Sequence, residues 1–117
     1  MNSRANRHCR NHRYHDWHEA EFWDYSFEKM GELDLPAGID FILNKTKQEQ
    51  LTYIGHSQGS TSLFAGMCLK PHYFKDKIKL FIAIAPVIRM TNVRSQAIKT
   101  ANNFVVKKLI DACGPEI

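Results

Sequence analysis

Tyr53-Ile54-Gly55-His56-Ser57-Gln58-Gly59 joins a strand-like run to a helix-like segment through the pentapeptide G-x-S-x-G. That pattern is a nucleophile elbow, in which a serine sits on a sharp strand-to-helix turn with its hydroxyl exposed. Glycines at 55 and 59 fit such a turn, because a Cβ at either position is expected to strike the neighbouring strand or helix. The turn leaves Ser57 Oγ open to a carbonyl carbon, and the Gln58 backbone N–H, at the start of the helix, is placed to stabilise an oxyanion. Two glycines and a serine recur by chance, so the context carries the reading. Leu51, Tyr53 and Ile54 give a strand before the serine, and Leu63, Phe64, Met67 and Cys68 recur at helical spacing after it. A Gly-rich turn without catalytic meaning explains neither flank.

Working outward, Lys79-Leu80-Phe81-Ile82-Ala83-Ile84-Ala85 is a continuous apolar run, the pattern of a strand buried on both faces of a parallel sheet, and Pro86 ends it. Upstream, Ser26 is a candidate N-cap. Asp34, just before Leu35-Pro36, is expected to cap a restarted helix, with proline tolerated in its first turn. Ile39, Ile42 and Leu43 share one face of that helix, which Asn44-Lys45-Thr46 closes. The order helix–strand–helix–strand predicts an α/β crossover unit. The aromatics from Phe22 to Phe27 read as the helix entry packing on the sheet rather than as a lipid-binding strip. Three stretches result: a basic arm over 1–20, an α/β core over 21–88, and a weaker tail over 89–117. The tail holds an amphipathic run, Phe104 to Ile110, before a Gly-Pro end.

Composition bounds the classes. The chain has 117 residues, 44% hydrophobic and 24% charged, ordinary values for a globular protein. The longest apolar run, Leu80 to Ile88, is nine residues and contains Pro86, too short to span a membrane. No apolar segment follows Met1, so no signal peptide is read at the start. The formal charge is +4, and +3 of it falls in residues 1–18, where four arginines face Asp16 alone. Cys9, Cys68 and Cys113 are widely spaced and form no C-x-x-C pair, which signals neither a disulfide framework nor a Cys-rich zinc site. Cys68 reads as a thiol packed on the apolar face of the helix after the elbow.

Several segments agree, in order and spacing, with one family. Asn2-Ser3-Arg4, Glu21-Phe22-Trp23-x-Tyr25-Ser26-Phe27-x-x-Met30, Asp34-Leu35-Pro36-Ala37, Gly55-His56-Ser57-Gln58-Gly59 and Ala83-x-Ala85-Pro86-Val87 resemble the acid lipases. These are the gastric and lysosomal group of α/β-hydrolases. The resemblance covers residues 2–4 and about 21–88, and implies a fragment of that fold, a parallel sheet flanked by helices and centred on the elbow. It further implies a lipid ester hydrolase acting on triacylglycerol or cholesteryl ester at a lipid–water interface, without cofactor, in a secreted or lysosomal parent protein. Ser57 would be the nucleophile and Gln58 would supply one oxyanion N–H. Asn44 begins an N-x-T sequon, a glycosylation candidate in the secretory pathway. Where the family has a glycine, this chain has Ala5, which could strain a turn.

The family's upstream His-Gly segment and its downstream Asp and His have no counterpart here, so the chain is expected to be inactive alone. His72 is no substitute. A helix of about a dozen residues rises about 18 Å, whereas a base must come within about 3.2 Å of its nucleophile. His56 adjoins Ser57, but its side chain is expected to point away and pack. The alternative to an enzyme is an inactive remnant or binding module that keeps the elbow as architecture. A third reading takes His8, His12, His15 and His18, with Cys9 and Asp16, as a zinc-binding arm if the arm is helical. The segment lacks a framed ligand motif, so no metal is assigned. Arg4, Arg7, Arg10 and Arg13 recur every third residue, yet no nucleic-acid fold signature accompanies them.

Overall fold

The computed structural model describes residues 3–4, 6–89, 92 and 94–101. Ala5, Cys113, the Phe104–Ile110 stretch and the Gly-Pro tail lie outside the described residues. A 3-10 turn, Ala20–Trp23, precedes α1 (Phe27–Lys29), a π-helical turn (Met30–Asp34) and α2 (Leu35–Thr46), which form one helical path. Ser26 caps that path, its hydroxyl accepting from Glu28 N–H at 3.2 Å.

The expected restart at Asp34 does not occur. Asp34 has helical dihedrals, φ −72° and ψ −44°, and its side chain caps nothing. Pro36 accounts for the π-turn instead. Its nitrogen cannot donate to the Glu32 carbonyl four residues back, and its ring would crowd that carbonyl in a regular helix. The path widens, so that Leu35 N–H reaches five residues back to Met30 O. Lys70 Nζ then donates to the released Glu32 O at 2.8 Å. α2 runs out through Thr46 and stops at Lys47, which takes the left-handed φ of 56°.

Next come β1 (Leu51–His56), α3 (Gln58–Leu69), α4 (Pro71–Lys77), β2 (Ile78–Ile84) and α5 (Gln96–Ala101). β1 and β2 pair in parallel, Tyr53 opposite Phe81 and His56 opposite Ile84, with one register irregularity between Leu51 and Thr52. The architecture is therefore α/β, helices covering a small parallel sheet. Leu35, Ile39 and Leu43 of α2, Leu63 of α3 and Phe74 of α4 form the core, with Leu51, Tyr53, Tyr73, Ile78 and Phe81 packed against it. The Phe81 ring meets Tyr53 and Phe64 edge-on, at centroid distances of 5.7 and 5.2 Å.

β2 is not buried on both faces, as its apolar run led us to expect. Leu80, Ile82 and Ile84 stand exposed beside Ile54 of β1, itself 62% exposed. Among the described residues these side chains stay open, whereas Tyr53 and Phe81 pack against the helical core. An apolar run records what a strand is suited to contact, and the contact itself is a separate fact. Cys68 is likewise exposed rather than packed. The side of α3 that faces the π-turn is lined by the small residues Ser62 and Gly66 instead. The aromatics of residues 22–27 do not pack on the sheet either. Phe22 is buried against His12 and Trp23, and Trp23 Nε1 donates to Trp17 O at 2.8 Å. They hold the arm, while Phe27 stays exposed.

Where the π-turn meets α3, backbone lies against backbone. A Cβ on Gly31 would stand 2.3 Å from Ser62 O and 2.7 Å from Gly66 N, and one on Gly66 would stand 2.7 Å from the Phe74 ring. Alanine in an unconstrained helix interior stabilises by about 0.5–1 kcal/mol over glycine. Here the sign should invert. Gly31→Ala is expected to destabilise by about 1–3 kcal/mol, the usual cost of overpacking, which denaturant unfolding of the polypeptide carrying this chain will measure. A second expectation concerns the 117 residues by themselves. A two-stranded sheet is marginal in water, and this one presents apolar side chains and unpaired outer edges. Purified alone, the chain should bind a hydrophobic dye and aggregate; a sharp, reversible melt with dispersed amide signals would contradict this.

Candidate active site

Ser57 occupies the one-residue junction between β1 and α3 with φ 50° and ψ −115°. A side chain rarely adopts such a φ, and holding it costs about 1–3 kcal/mol that neighbours must offset. Those neighbours are identifiable. Ser57 N–H donates to Ile84 O at 3.0 Å, extending the strand pairing one residue into the turn. Ser57 O accepts from Ser60 N–H at 3.0 Å and Thr61 N–H at 3.3 Å. The buried Ser60 hydroxyl donates back to Gly55 O at 2.8 Å, and Tyr53 Oη donates to Gly59 O at 3.0 Å. Burial raises the Tyr53 phenol pKa, keeping that donor protonated. Finally, Thr61 Oγ1 donates to Val87 O at 2.7 Å, tying the segment after β2 to the first turn of α3.

The two elbow glycines differ in what they do. A Cβ on Gly55 would meet Ser60 N and Tyr53 Cε1 at 2.9 Å and Gly59 C at 3.0 Å, so the helix start would have to move. A Cβ on Gly59 would meet only Tyr53 Oη, at an ordinary 3.8 Å. The expected clash at both positions therefore holds for Gly55 and not for Gly59, whose Cβ would point where no backbone approaches.

A cavity of about 390 Å³ opens beside the turn. Ser57, Gln58 and His56 line it together with Met30, Leu35 and Ile54 and, from distant sequence, Ser3 and Asp34. Gln58 opens α3, so its N–H has no intrahelical acceptor. Among the described residues, Ser57 Oγ has no hydrogen-bond partner. His56 is exposed at the end of β1 rather than packed, and it makes no hydrogen bond to Ser57. His72 lies in α4, past the far end of the 12-residue α3. Asn44 is exposed in the last turn of α2.

The arm makes specific contacts with the body. Arg4 forms a two-pronged ion pair with Asp34, Nε donating to Oδ2 at 2.6 Å and Nη2 to Oδ1, and lies 5.1 Å from the Tyr25 ring centroid. Arg10 stacks over Trp17 at 4.2 Å. No helix forms over His8–His18, so the shared face on which a zinc reading depends is absent there. Among the described residues, no group of three or more His, Cys, Asp or Glu side chains is gathered to hold a metal ion. Catalytic motifs alone do not reveal Ser3 and Asp34 as neighbours of the elbow, nor Arg4 as the partner of Asp34. The available signal was an arginine and an acid, Arg4 and Asp34, each inside one of the segments that carry the family resemblance.

No family model matches the chain. Curated relatives do. The chain is 45% identical over 94 residues to the gastric triacylglycerol lipase of Bos taurus, covering 80% of this chain and 23% of that protein. It is 48% identical over 86 residues to the lysosomal acid lipase/cholesteryl ester hydrolase of Homo sapiens, covering 74% and 21%. With the gastric triacylglycerol lipase of Mus musculus it shares 43% over 108 residues, covering 91% and 27%. The chain thus spans about a quarter of the length of the relatives it matches.

The glycine asymmetry gives a test. Gly55→Ala should shift the start of α3, destabilise by about 1–3 kcal/mol and slow any reaction at Ser57. Gly59→Ala should leave both within about twofold and about 0.5 kcal/mol of the parent sequence, the ordinary range for an uncrowded substitution. Unfolding curves and Ser57 reactivity of the two variants, compared side by side, check the difference.

Proposed function

We propose that this chain, which belongs to the acid lipase family, is the nucleophile-bearing part of a lipid ester hydrolase. The observation that carries the reading is Ser57 itself. It is a non-glycine residue held at φ 50° between a strand and a helix, on the wall of an open cavity. Strain of that kind persists only where the surroundings enforce it, and it clusters at reacting centres.

In this reading Ser57 Oγ attacks the ester carbonyl carbon, and the carbonyl oxygen becomes an oxyanion that accepts from Gln58 N–H. The Oγ proton passes to a base and then to the departing alcohol as the ester C–O bond breaks. Water cleaves the resulting acyl-enzyme by the reverse path. No described residue is positioned as that base, since His56 makes no bond to Ser57 and His72 lies beyond the far end of α3. By family resemblance the base is a histidine oriented by an aspartate, both downstream of the serine, and the second oxyanion donor comes from an upstream His-Gly segment. The chain is then one segment of a longer polypeptide and inactive alone, with an arm over 1–20, a partial hydrolase core over 21–88 and the start of a cap, or a tail, over 89–117.

The gastric and lysosomal relatives support a lipid ester substrate, triacylglycerol or cholesteryl ester met at a lipid–water interface, and a secreted or lysosomal parent. No helix among the described residues is long and apolar enough to cross a membrane. An exposed Asn44 with Thr46 two residues on is a glycosylation site consistent with that route.

Labelling decides the reading. A fluorophosphonate probe is expected to modify the full-length polypeptide at Ser57, and Ser57→Ala should abolish the label. No labelling of the wild type, or equal labelling of the variant, favours an inactive remnant that keeps the elbow as architecture.

A further inference from the structure

The cavity beside Ser57 is lined by an acidic residue that the proposed reaction does not use. Asp34 and Ser3 both line it, although they lie far from the elbow in sequence. A bare carboxylate there would oppose the negative charge that develops on the ester oxygen. It is not bare. The planar fork of Arg4 covers both its oxygens, through Nε to Oδ2 at 2.6 Å and Nη2 to Oδ1. The Tyr25 ring supports the guanidinium at 5.1 Å. Asp34 is free for this role because, sitting inside a continuous helical path, it caps no helix.

We propose that Arg4 is a positioning residue for the Ser57 site, which holds Ser3 at the cavity wall and neutralises Asp34, an acid that lines the same cavity. The inference rests on Ser57 being the nucleophile. A lesser role is available to the same pair, that of a clasp fixing the arm to the helix. The two roles differ in sign at Asp34. A clasp fails when either partner is lost, whereas charge neutralisation becomes unnecessary once the carboxylate is removed.

The rate of fluorophosphonate labelling of the full-length polypeptide, with a thermal melt of each variant, separates them. Arg4→Gln is expected to slow labelling on the order of tenfold, the effect of an uncompensated charge at moderate separation. Asp34→Asn should label at or above the wild-type rate, and the double variant Arg4→Gln/Asp34→Asn should recover to within about twofold of wild type. Arg4→Lys, which keeps the charge without the fork, should stay within about threefold. Asp34→Asn as slow as Arg4→Gln, no recovery in the double variant, or Arg4→Lys as slow as Arg4→Gln overturns the inference and leaves the clasp. Should Arg4→Gln fail to fold, Asp34→Asn or Arg4→Lys labelling on the order of tenfold slower than wild type overturns the inference. Absence of wild-type labelling at Ser57 is a separate result and defeats the nucleophile reading on which this one stands.

Discussion

Gly31 and Gly66 let the helical path before the sheet touch the helix after it without intervening side chains, and much else is placed by that contact. With no Cβ on either side, the π-turn lies directly on α3, where a Cβ on Gly31 would come within 2.3 Å of Ser62 O. Phe74 can then lie against Gly66 and fill the core beneath. Lys70, just past the end of α3, comes within reach of the carbonyl that Pro36 releases. The last residue of the π-turn, Asp34, arrives beside the elbow, where the Arg4 fork meets it. Moving the helices apart by the width of a methyl group would disturb all of these contacts, because interiors are close-packed and transmit such shifts.

How much of this was legible in the sequence depended on the range of the interaction. The strand, turn and helix around Ser57 were readable because every contact that shapes them lies within a few residues or in the next strand. The Ser26 cap was readable for the same reason. Asp34 misled, because an acid before Leu-Pro is a good local cap and nothing nearby reveals that an arginine thirty residues away claims it. That Pro36 is tolerable is legible locally, but the π-turn that accommodates it is completed by Lys70, which local pattern cannot supply. Hydrophobicity misled at β2 and at Cys68, since it ranks what a residue tolerates and leaves open what reaches it. The helix contact did have a trace, the small pair Ser62 and Gly66 four residues apart on α3, which a search for large apolar residues passes over.

The elbow also shows a division between local and distant contributions to a reacting group. Everything that holds Ser57 at its unfavourable φ belongs to the β1–α3–β2 unit: the bond to Ile84 O, the Ser60 and Tyr53 hydroxyls on either side, and Thr61 anchored to Val87. Those bonds lie within the turn or join it to the next strand and the segment after it. Proton transfer is different. A base must be aimed at Oγ, and α3 carries the chain away from the serine for twelve residues before the next histidine is reached. A strand-to-helix unit of this kind can therefore preset the geometry of a nucleophile but has no short route by which to supply its base. Under the proposed reaction, chemistry at Ser57 depends on a group brought back to the top of the sheet by a longer connection, and the local unit fixes where that group must arrive.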